Sequence, residues 1–86
     1  MTRRYREPID VRGGEAGPSI FHWRGRTYLV VAILGHWRED AAYWTAGGIE
    51  IPQRDRWRVE AVGTSGAGVY ELVHESGRWL LDRVWD

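Results

Sequence analysis

SIFHWRGRTYLVVAIL, residues 19–34, decides the fold of this chain. Two runs rich in aromatic and β-branched residues, SIFHW and TYLVVAIL, flank a short link that contains Gly25. Two such runs joined by a short glycine-containing link are typical of a β-hairpin. The sequence therefore predicts a hairpin over 20–34 that turns near Gly25. The alternative is a buried helix over 27–38, which the β-branched Thr27 and the Val-Val pair disfavour.

The hydrophobic pattern differs between the two halves of the chain. TYLVVAIL is apolar on both faces of the predicted strand, which indicates a strand covered on both sides or one that crosses a small barrel. RWRVEAV, residues 56–62, instead alternates arginine or glutamate with tryptophan, valine or alanine. That period of two predicts a half-buried antiparallel strand.

The C-terminal segment predicts a second hairpin, in which Ser76–Gly77 joins VYELVHE to RWLLDRVWD. Large apolar side chains on one face of these strands are expected to fill the core. The predicted centre of the core consists of Trp57, Tyr70, Leu72, Trp79 and Leu81, and Trp23 is also assigned to the core. Cross-strand ion pairs on the outer face are expected among Arg58, Glu60, Glu71 and Arg78.

These strands together predict an all-β fold. Five to six short strands with at most a short helical turn indicate a small antiparallel barrel or strongly bent sheet of the SH3-like kind, because closure removes exposed edges. A chain of 86 residues is too short to divide, so residues 1–86 are predicted to form a single domain. Residues 1–18 are expected to contain one short strand, PIDVR, within a partly flexible N-terminal arm.

Composition excludes several classes of protein. The chain has no cysteine, so it forms no disulfide and no thiolate zinc site. Its 12 basic residues, all arginine, balance 12 acidic ones, and zero net charge argues against strong nonspecific DNA binding. No stretch approaches the roughly 20 apolar residues that span a membrane, and no apolar region of a signal peptide follows the N-terminal arginines. A cytoplasmic bacterial protein without a membrane partner is therefore expected.

No catalytic or metal-binding motif is evident. His22, His36 and His74 lack the spacing of a metal-ligand motif, and no serine lies in a nucleophile elbow. GTSGAG, residues 63–68, lacks the lysine and the following helix of a phosphate-binding loop. The sequence predicts no enzyme, no metal and no cofactor.

The mixture of tryptophan and arginine is the feature that points to binding. Residues 35–53, predicted to be irregular, hold several aromatic rings that no strand pattern requires. We expect at least one of Trp37 and Trp44 to be exposed beside Arg24, Arg26 or Arg38, as an interface anchor. The alternative is that this segment folds over one barrel end and both rings plug it. The predicted binding residues are Arg24, Arg26, Trp37, Arg38, Tyr43 and Trp44.

The sequence resembles the small bacterial family DUF6504. The resemblance runs from about Ile9 to Asp86 and rests on FHWRGRTYLV, Trp37, YW at 43–44, RWRVEA, GVYEL and GRWLLDRVWD. Within it, the half from WRV to the C-terminus is similar to the C-terminal tail of ImuB-type proteins, inactive relatives of Y-family DNA polymerases. This chain lacks their polymerase-like portion and any recognisable clamp-binding motif.

Two functions are expected. The resemblance implies an adaptor-like module that binds another protein in bacterial DNA damage tolerance, in translesion synthesis. The alternative, from the residues themselves, is a small barrel that binds single-stranded nucleic acid through Arg24, Arg26 and stacked aromatic rings.

Overall fold

A closed antiparallel barrel forms the core of the protein. The computed structural model describes residues 2–14, 16–40 and 53–85. Each strand pairs antiparallel with the next along the chain, and the last pairs with the first. The strands are β1 (Thr2–Gly14), β2 (Gly17–Trp23), β3 (Arg26–Asp40), β4 (Gln53–Gly63), β5 (Gly66–Glu75) and β6 (Arg78–Trp85). The prediction of a small all-β antiparallel barrel is confirmed.

Two tight turns fix the predicted hairpins. Arg24 and Gly25, between β2 and β3, have φ angles of 53° and 74°. Ser76 and Gly77, between β5 and β6, have φ angles of 51° and 76°. Two consecutive positive φ angles are typical of the turn whose twist matches that of the flanking strands. The hairpin over 20–34 is confirmed, and β3 replaces the alternative helix over 27–38.

Two segments that the sequence predicted to be irregular or flexible form strands instead where the structure describes them. Residues 2–14 form one strand that pairs with β2 and with β6, so the segment predicted to be a partly flexible arm closes the barrel. The expectation failed because polar side chains here face outward while Tyr5, Ile9 and Val11 pack inward. Residues 35–40 of the segment predicted to be irregular instead continue β3, whereas its residues 41–52 lie outside the described residues.

Aromatic rings fill the centre of the barrel. Phe21 is fully buried and stacks on Tyr28, with 4.9 Å between ring centroids, and Tyr70 meets Phe21 edge-on at 5.4 Å. Leu72 and Leu81 are fully buried beside them, as predicted. The remaining members of this buried cluster are Val59 and Ala61.

Three tryptophans assigned to the core, two of them to its centre, lie at its periphery. Trp23, Trp57 and Trp79 are half-buried and pack against the central cluster from outside it. Strand position explains the difference, since Trp57 and Trp79 each precede a fully buried residue by two positions, toward the end of the barrel. Alternation predicted the correct face but not the depth along the barrel.

The outer side of β3 is open. β3 lies in the barrel wall and not between two layers, and its Leu29, Val31 and Leu34 are more than half exposed. The register with β4 shifts between Val30 and Ala32 and again between Ile33 and Gly35. Each shift inserts an extra residue into β3, a β-bulge that turns its side chain outward. Within the described ranges, no helix is long and apolar enough to cross a membrane.

Candidate binding surface

Two exposed indoles flank one arginine on the outer wall of the barrel. The guanidinium carbon of Arg58 lies 5.7 Å from the ring centroid of Trp37 and 5.3 Å from that of Trp85. Trp37 is 37% exposed and Trp85 39%. Leu34 and Val69 complete a shallow pocket beside Arg58 and Trp85. We call these five residues the Trp37–Arg58–Trp85 patch.

Gly35 allows the ring of Trp37 to reach Arg58. Gly35 pairs with Arg58 across β3 and β4, two residues before Trp37. A Cβ at Gly35 would lie 3.0 Å from the Trp37 ring, closer than such atoms normally approach. The indole therefore lies back over the glycine, toward the guanidinium group on the neighbouring strand.

A buried carboxylate holds the other side of the patch. Glu71 on β5 is 3% exposed, and its Oε2 accepts a 2.8 Å hydrogen bond from Trp85 Nε1. The same oxygen accepts hydrogen bonds from Arg58 Nη2 at 3.1 Å and Nε at 3.3 Å. Glu71 thus fixes both an indole and a guanidinium group in place, and it neutralises the charge of Arg58.

Glu71 belongs to a buried cluster of charges beneath the patch. Arg56, itself 8% exposed, donates from Nη1 to Glu71 Oε1 at 2.9 Å and to Asp82 Oδ2 at 2.7 Å. The expectation that Glu71 points outward to solvent is wrong, although its predicted pairing with Arg58 is confirmed. Strand alternation placed Glu71 on the outer face, but long arginine side chains from β4 cover it.

The whole chain, residues 1–86, matches the family model described as a domain of unknown function, DUF6504. The chain belongs to the DUF6504 family. Searches of curated proteins and of solved structures give no match to it. The resemblance to DUF6504 seen in the sequence is confirmed, and it assigns no activity to the patch.

The structure places the sequence-predicted binding residues in different surroundings. Trp37 is exposed as expected, but the arginine over its ring is Arg58 and not one of the predicted three. Arg38 Nε instead donates to Asp55 Oδ1 at 3.2 Å. Tyr43 and Trp44 lie outside the described residues.

The two arginines at the β2–β3 turn also differ from each other. Arg24 Nη2 donates to Glu7 Oε2 at 2.7 Å, and Trp23 Nε1 donates to Glu7 Oε1 at 2.9 Å. The Arg24 guanidinium group also lies 5.0 Å from the Tyr5 ring centroid. These hydrogen bonds, from Arg24 first and Trp23 second, lower the pKa of Glu7. Arg26 is exposed and makes none of these contacts.

Arg58 and Trp85 are not among the binding residues that the sequence predicted. Arg58 had been given a surface ion pair, and Trp85 lies at the very end of the last strand. The signal that connects them is the register, since Arg58 pairs with Glu71 and Trp85 with Val69, two residues away on β5. Pairing of strands distant in sequence brings the patch together.

Two of the three histidines stack on tryptophan rings. His36 stacks on Trp57 with 3.5 Å between centroids, and His74 on Trp79 with 4.5 Å. His22 Nδ1 lies 3.0 Å from the Thr27 hydroxyl. In the part of the chain that the structure describes, no group of three or more histidine or acidic residues is arranged to hold a metal ion.

Proposed function

We propose that this protein is a non-catalytic binding module whose protein partner docks on the Trp37–Arg58–Trp85 patch. The observation that carries the proposal is the Arg58 guanidinium group between two exposed indoles. Tryptophan and arginine are the residues most enriched at the energetic centres of protein interfaces. Their arrangement here is set within the free protein, which reduces the ordering cost of binding.

The charge balance of the patch indicates an apolar partner surface. Glu71 already accepts hydrogen bonds from Arg58 and Trp85, so a partner has no need to supply a carboxylate to either group. Trp37 Nε1 has no hydrogen-bond partner among the described residues. The complementary surface should therefore present apolar side chains with one hydrogen-bond acceptor opposite the Trp37 indole.

A role in DNA damage tolerance is the cellular setting that we propose for this module. It rests on the similarity of the C-terminal half of the sequence to the tails of ImuB-type proteins. In that setting the partner is a component of a translesion-synthesis complex, and the module acts as an adaptor without a reaction of its own.

Affinity capture from cell extract tests the docking site. Immobilised wild-type protein and a Trp37→Ala variant would be compared at physiological salt, with Arg26→Ala as the control from the far end of β3. We expect a protein captured by the wild type and by Arg26→Ala to be lost with Trp37→Ala. Identical captured proteins for all three would contradict the proposed site, and identification by mass spectrometry tests the proposed setting.

A further inference from the structure

A depression made of adjoining cavities that share lining residues follows β1 from the β2–β3 turn to one end of the barrel. Its first part lies between Arg24 and Pro8–Asp10, and its second part continues along β1 to Arg12 and Trp79. Trp79 also lines a cleft at the end of the barrel, beside Gly13 and Gly14. The stretch of β1 from Pro8 to Gly14 extends about 20 Å at roughly 3.4 Å per residue. We call this depression the β1 path.

The path exists because β1 extends beyond its neighbour β6. The last pair between the two strands joins Ile9 to Trp79, and β6 begins at Arg78, directly after the turn of the β5–β6 hairpin. Residues 10–14 of β1 pair only with β2. The barrel wall is therefore parted here, between the end of β1 and the β5–β6 hairpin.

Arginines without acidic partners line the widest part of the path. Arg12 and Arg78 are exposed, and neither forms an ion pair with the described residues. Among the described lining residues of this part, Asp10 is the one acid against these two cations. Arg24, at the far end, is 56% exposed although it pairs with Glu7. The widest part of the path, with two arginines against one acid, is thus locally positive in a chain whose formal net charge is zero.

The cleft at the end of the path is lined by flat rings. Its volume is about 180 Å³, and Trp57, His74 and Trp79 contribute its aromatic walls. Glycines form the opposite side, and Gly17 leaves no room for a side chain, since a Cβ there would lie 2.4 Å from the Trp57 ring. Neither indole N–H of Trp57 and Trp79 has a hydrogen-bond partner among the described residues.

We propose that the β1 path binds single-stranded nucleic acid, with phosphates over Arg12 and Arg78 and one base in the aromatic cleft. A positive groove that follows the backbone, combined with aromatic rings for stacking, is how small barrels hold single strands. A base within a duplex is not free to enter such a cleft. A path of about 20 Å suits the lower end of the ~4–16-nucleotide sites of single-strand-binding barrels.

Asp55 determines which part of the nucleotide enters the cleft. Its Oδ1 accepts from Arg38 and lies 3.6 Å from His36 Nε2, whereas its Oδ2 has no partner among the described residues. A carboxylate repels phosphate but accepts a hydrogen bond from the exocyclic amino group of cytosine. The base therefore occupies the cleft, the phosphates remain at the arginines, and an oligo-dC strand is the probe of choice.

The salt dependence of oligo-dC binding tests the cationic part of the path. Contacts from Arg12, Arg24 and Arg78 to three phosphates predict a slope of log affinity against log salt of about −2, from ~0.7 per phosphate. Affinity should then fall about 20-fold between 50 and 200 mM salt, measured by fluorescence anisotropy. For the Arg12→Ala/Arg78→Ala variant, with one contact left, the fall should be only about threefold.

A matched variant controls for the loss of charge. Arg3→Ala/Arg6→Ala removes two exposed arginines from the same strand outside the path, and it should keep the steep salt dependence. The proposal is overturned if the Arg12→Ala/Arg78→Ala variant keeps the wild-type slope. It is also overturned if the wild type shows no binding at 50 mM salt.

A second measurement separates nucleic acid from other polyanions. Replacing the bases of the oligonucleotide by abasic sugars keeps every phosphate, and it should weaken binding at least about fivefold, since stacking contributes ~1–3 kcal/mol per base. Equal affinity for the abasic strand, or for poly-glutamate of the same charge, would assign the path to an acidic protein segment instead.

The proposals for the β1 path and for the Trp37–Arg58–Trp85 patch can be tested independently. No residue is shared between them. Trp37→Ala should therefore leave oligo-dC affinity unchanged, and Arg12→Ala/Arg78→Ala should leave protein capture unchanged.

Discussion

The Trp37–Arg58–Trp85 patch and the β1 path are built from the same residue types, but their arginines differ in charge compensation. Arg58 shares the carboxylate of Glu71, which is 3% exposed, whereas Arg12 and Arg78 have no acidic partner among the described residues. A neutralised guanidinium group presents a flat, largely apolar surface with its indoles, while an uncompensated one attracts phosphate. We therefore propose that the buried carboxylate behind Arg58 is what distinguishes the proposed protein-binding patch from the proposed polyanion-binding path.

The position of that carboxylate follows from the strand register. Glu71 faces Arg58 on one neighbouring strand and Arg83 on the other, and Arg56 lies two residues from Arg58 along β4. The acid on β5 is thus surrounded by arginines from both sides. On β1, by contrast, residues 10–14 extend past β6 and pair only with β2, a strand that contains no acidic residue.

Among the substitutions that test this comparison, Glu71→Gln should have the largest effect on stability. The substitution keeps the shape of the side chain but removes the anion shared by Arg56 and Arg58, leaving buried positive charge with less compensation. We expect a loss of about 3–5 kcal/mol in the free energy of unfolding, as for breaking a buried ion pair. Urea denaturation followed by circular dichroism measures it, and at this size the variant is expected to be largely unfolded at 37 °C.

Glu60→Gln is the control for that loss. Glu60 lies on the outer face of β4, is only partly buried, and has no ion pair with the described residues. Its replacement should change stability by less than about 0.5 kcal/mol, the usual range for a surface site. Similar losses for both variants would show that the buried cluster does not hold the patch in place.

Trp37→Ala should affect binding more than folding. The ring is 37% exposed and lies over Gly35 outside the core, so its removal should cost less than about 1 kcal/mol of stability. Loss of an aromatic interface anchor should reduce the binding free energy for the captured partner by about 2 kcal/mol, which raises Kd close to 30-fold. Calorimetric titration with the purified partner measures the affinity. A thermal melt of the variant alone checks that it is folded.

Opposite results would reverse the assignment. A Trp37→Ala variant with unchanged affinity, together with a weakened Arg26→Ala variant, would place the partner at the β2–β3 turn that the sequence predicted.

Leu81→Ala and Trp79→Ala test whether the rings of the cleft belong to the core. Leu81 is fully buried, and its truncation should cost about 2–5 kcal/mol. Trp79 is larger but half-buried at the end of the barrel, so Trp79→Ala should cost less than Leu81→Ala, about 1–2 kcal/mol. Chemical denaturation of both variants gives the comparison. A greater loss for Trp79→Ala would return this ring to the core, where the sequence placed it, and weaken its assignment to the cleft.

The local pattern of the sequence was sufficient for the barrel. Runs of β-branched and aromatic residues, and turns at Arg24–Gly25 and Ser76–Gly77, fixed the hairpins because both signals act between neighbours in sequence. Burial of Leu72 and Leu81 followed from strand alternation. How far along the barrel axis Trp57 and Trp79 lie depends instead on strand stagger, which alternation does not encode.

The candidate surfaces were predictable only in part. Trp37 was identified because an aromatic ring in a segment of weak pattern stands out. Arg58 and Trp85 were not, since their contact requires β3, β4, β5 and β6 to be aligned in register. The path at Arg12 depends likewise on the relative lengths of β1 and β6, a property of the closed sheet and not of any segment within it.

Glu7→Gln should have the smallest effect, and it sharpens the comparison at the far end of the β1 path. Hydrogen bonds from Arg24 and Trp23 lower the pKa of Glu7 in the folded protein. A lowered folded pKa contributes stability above the ordinary glutamate pKa, and this contribution is lost as pH falls through the lowered value. The urea midpoint of the wild type should therefore drop between about pH 6 and about pH 3 by more than that of Glu7→Gln. Glu60→Gln should retain the wild-type drop. Glu7→Gln also releases Arg24 from its acidic partner, so this variant should bind oligo-dC slightly more tightly than the wild type at 50 mM salt. Weaker binding would mean that Glu7 positions Arg24 for phosphate, and that compensation by a carboxylate does not by itself exclude an arginine from the path.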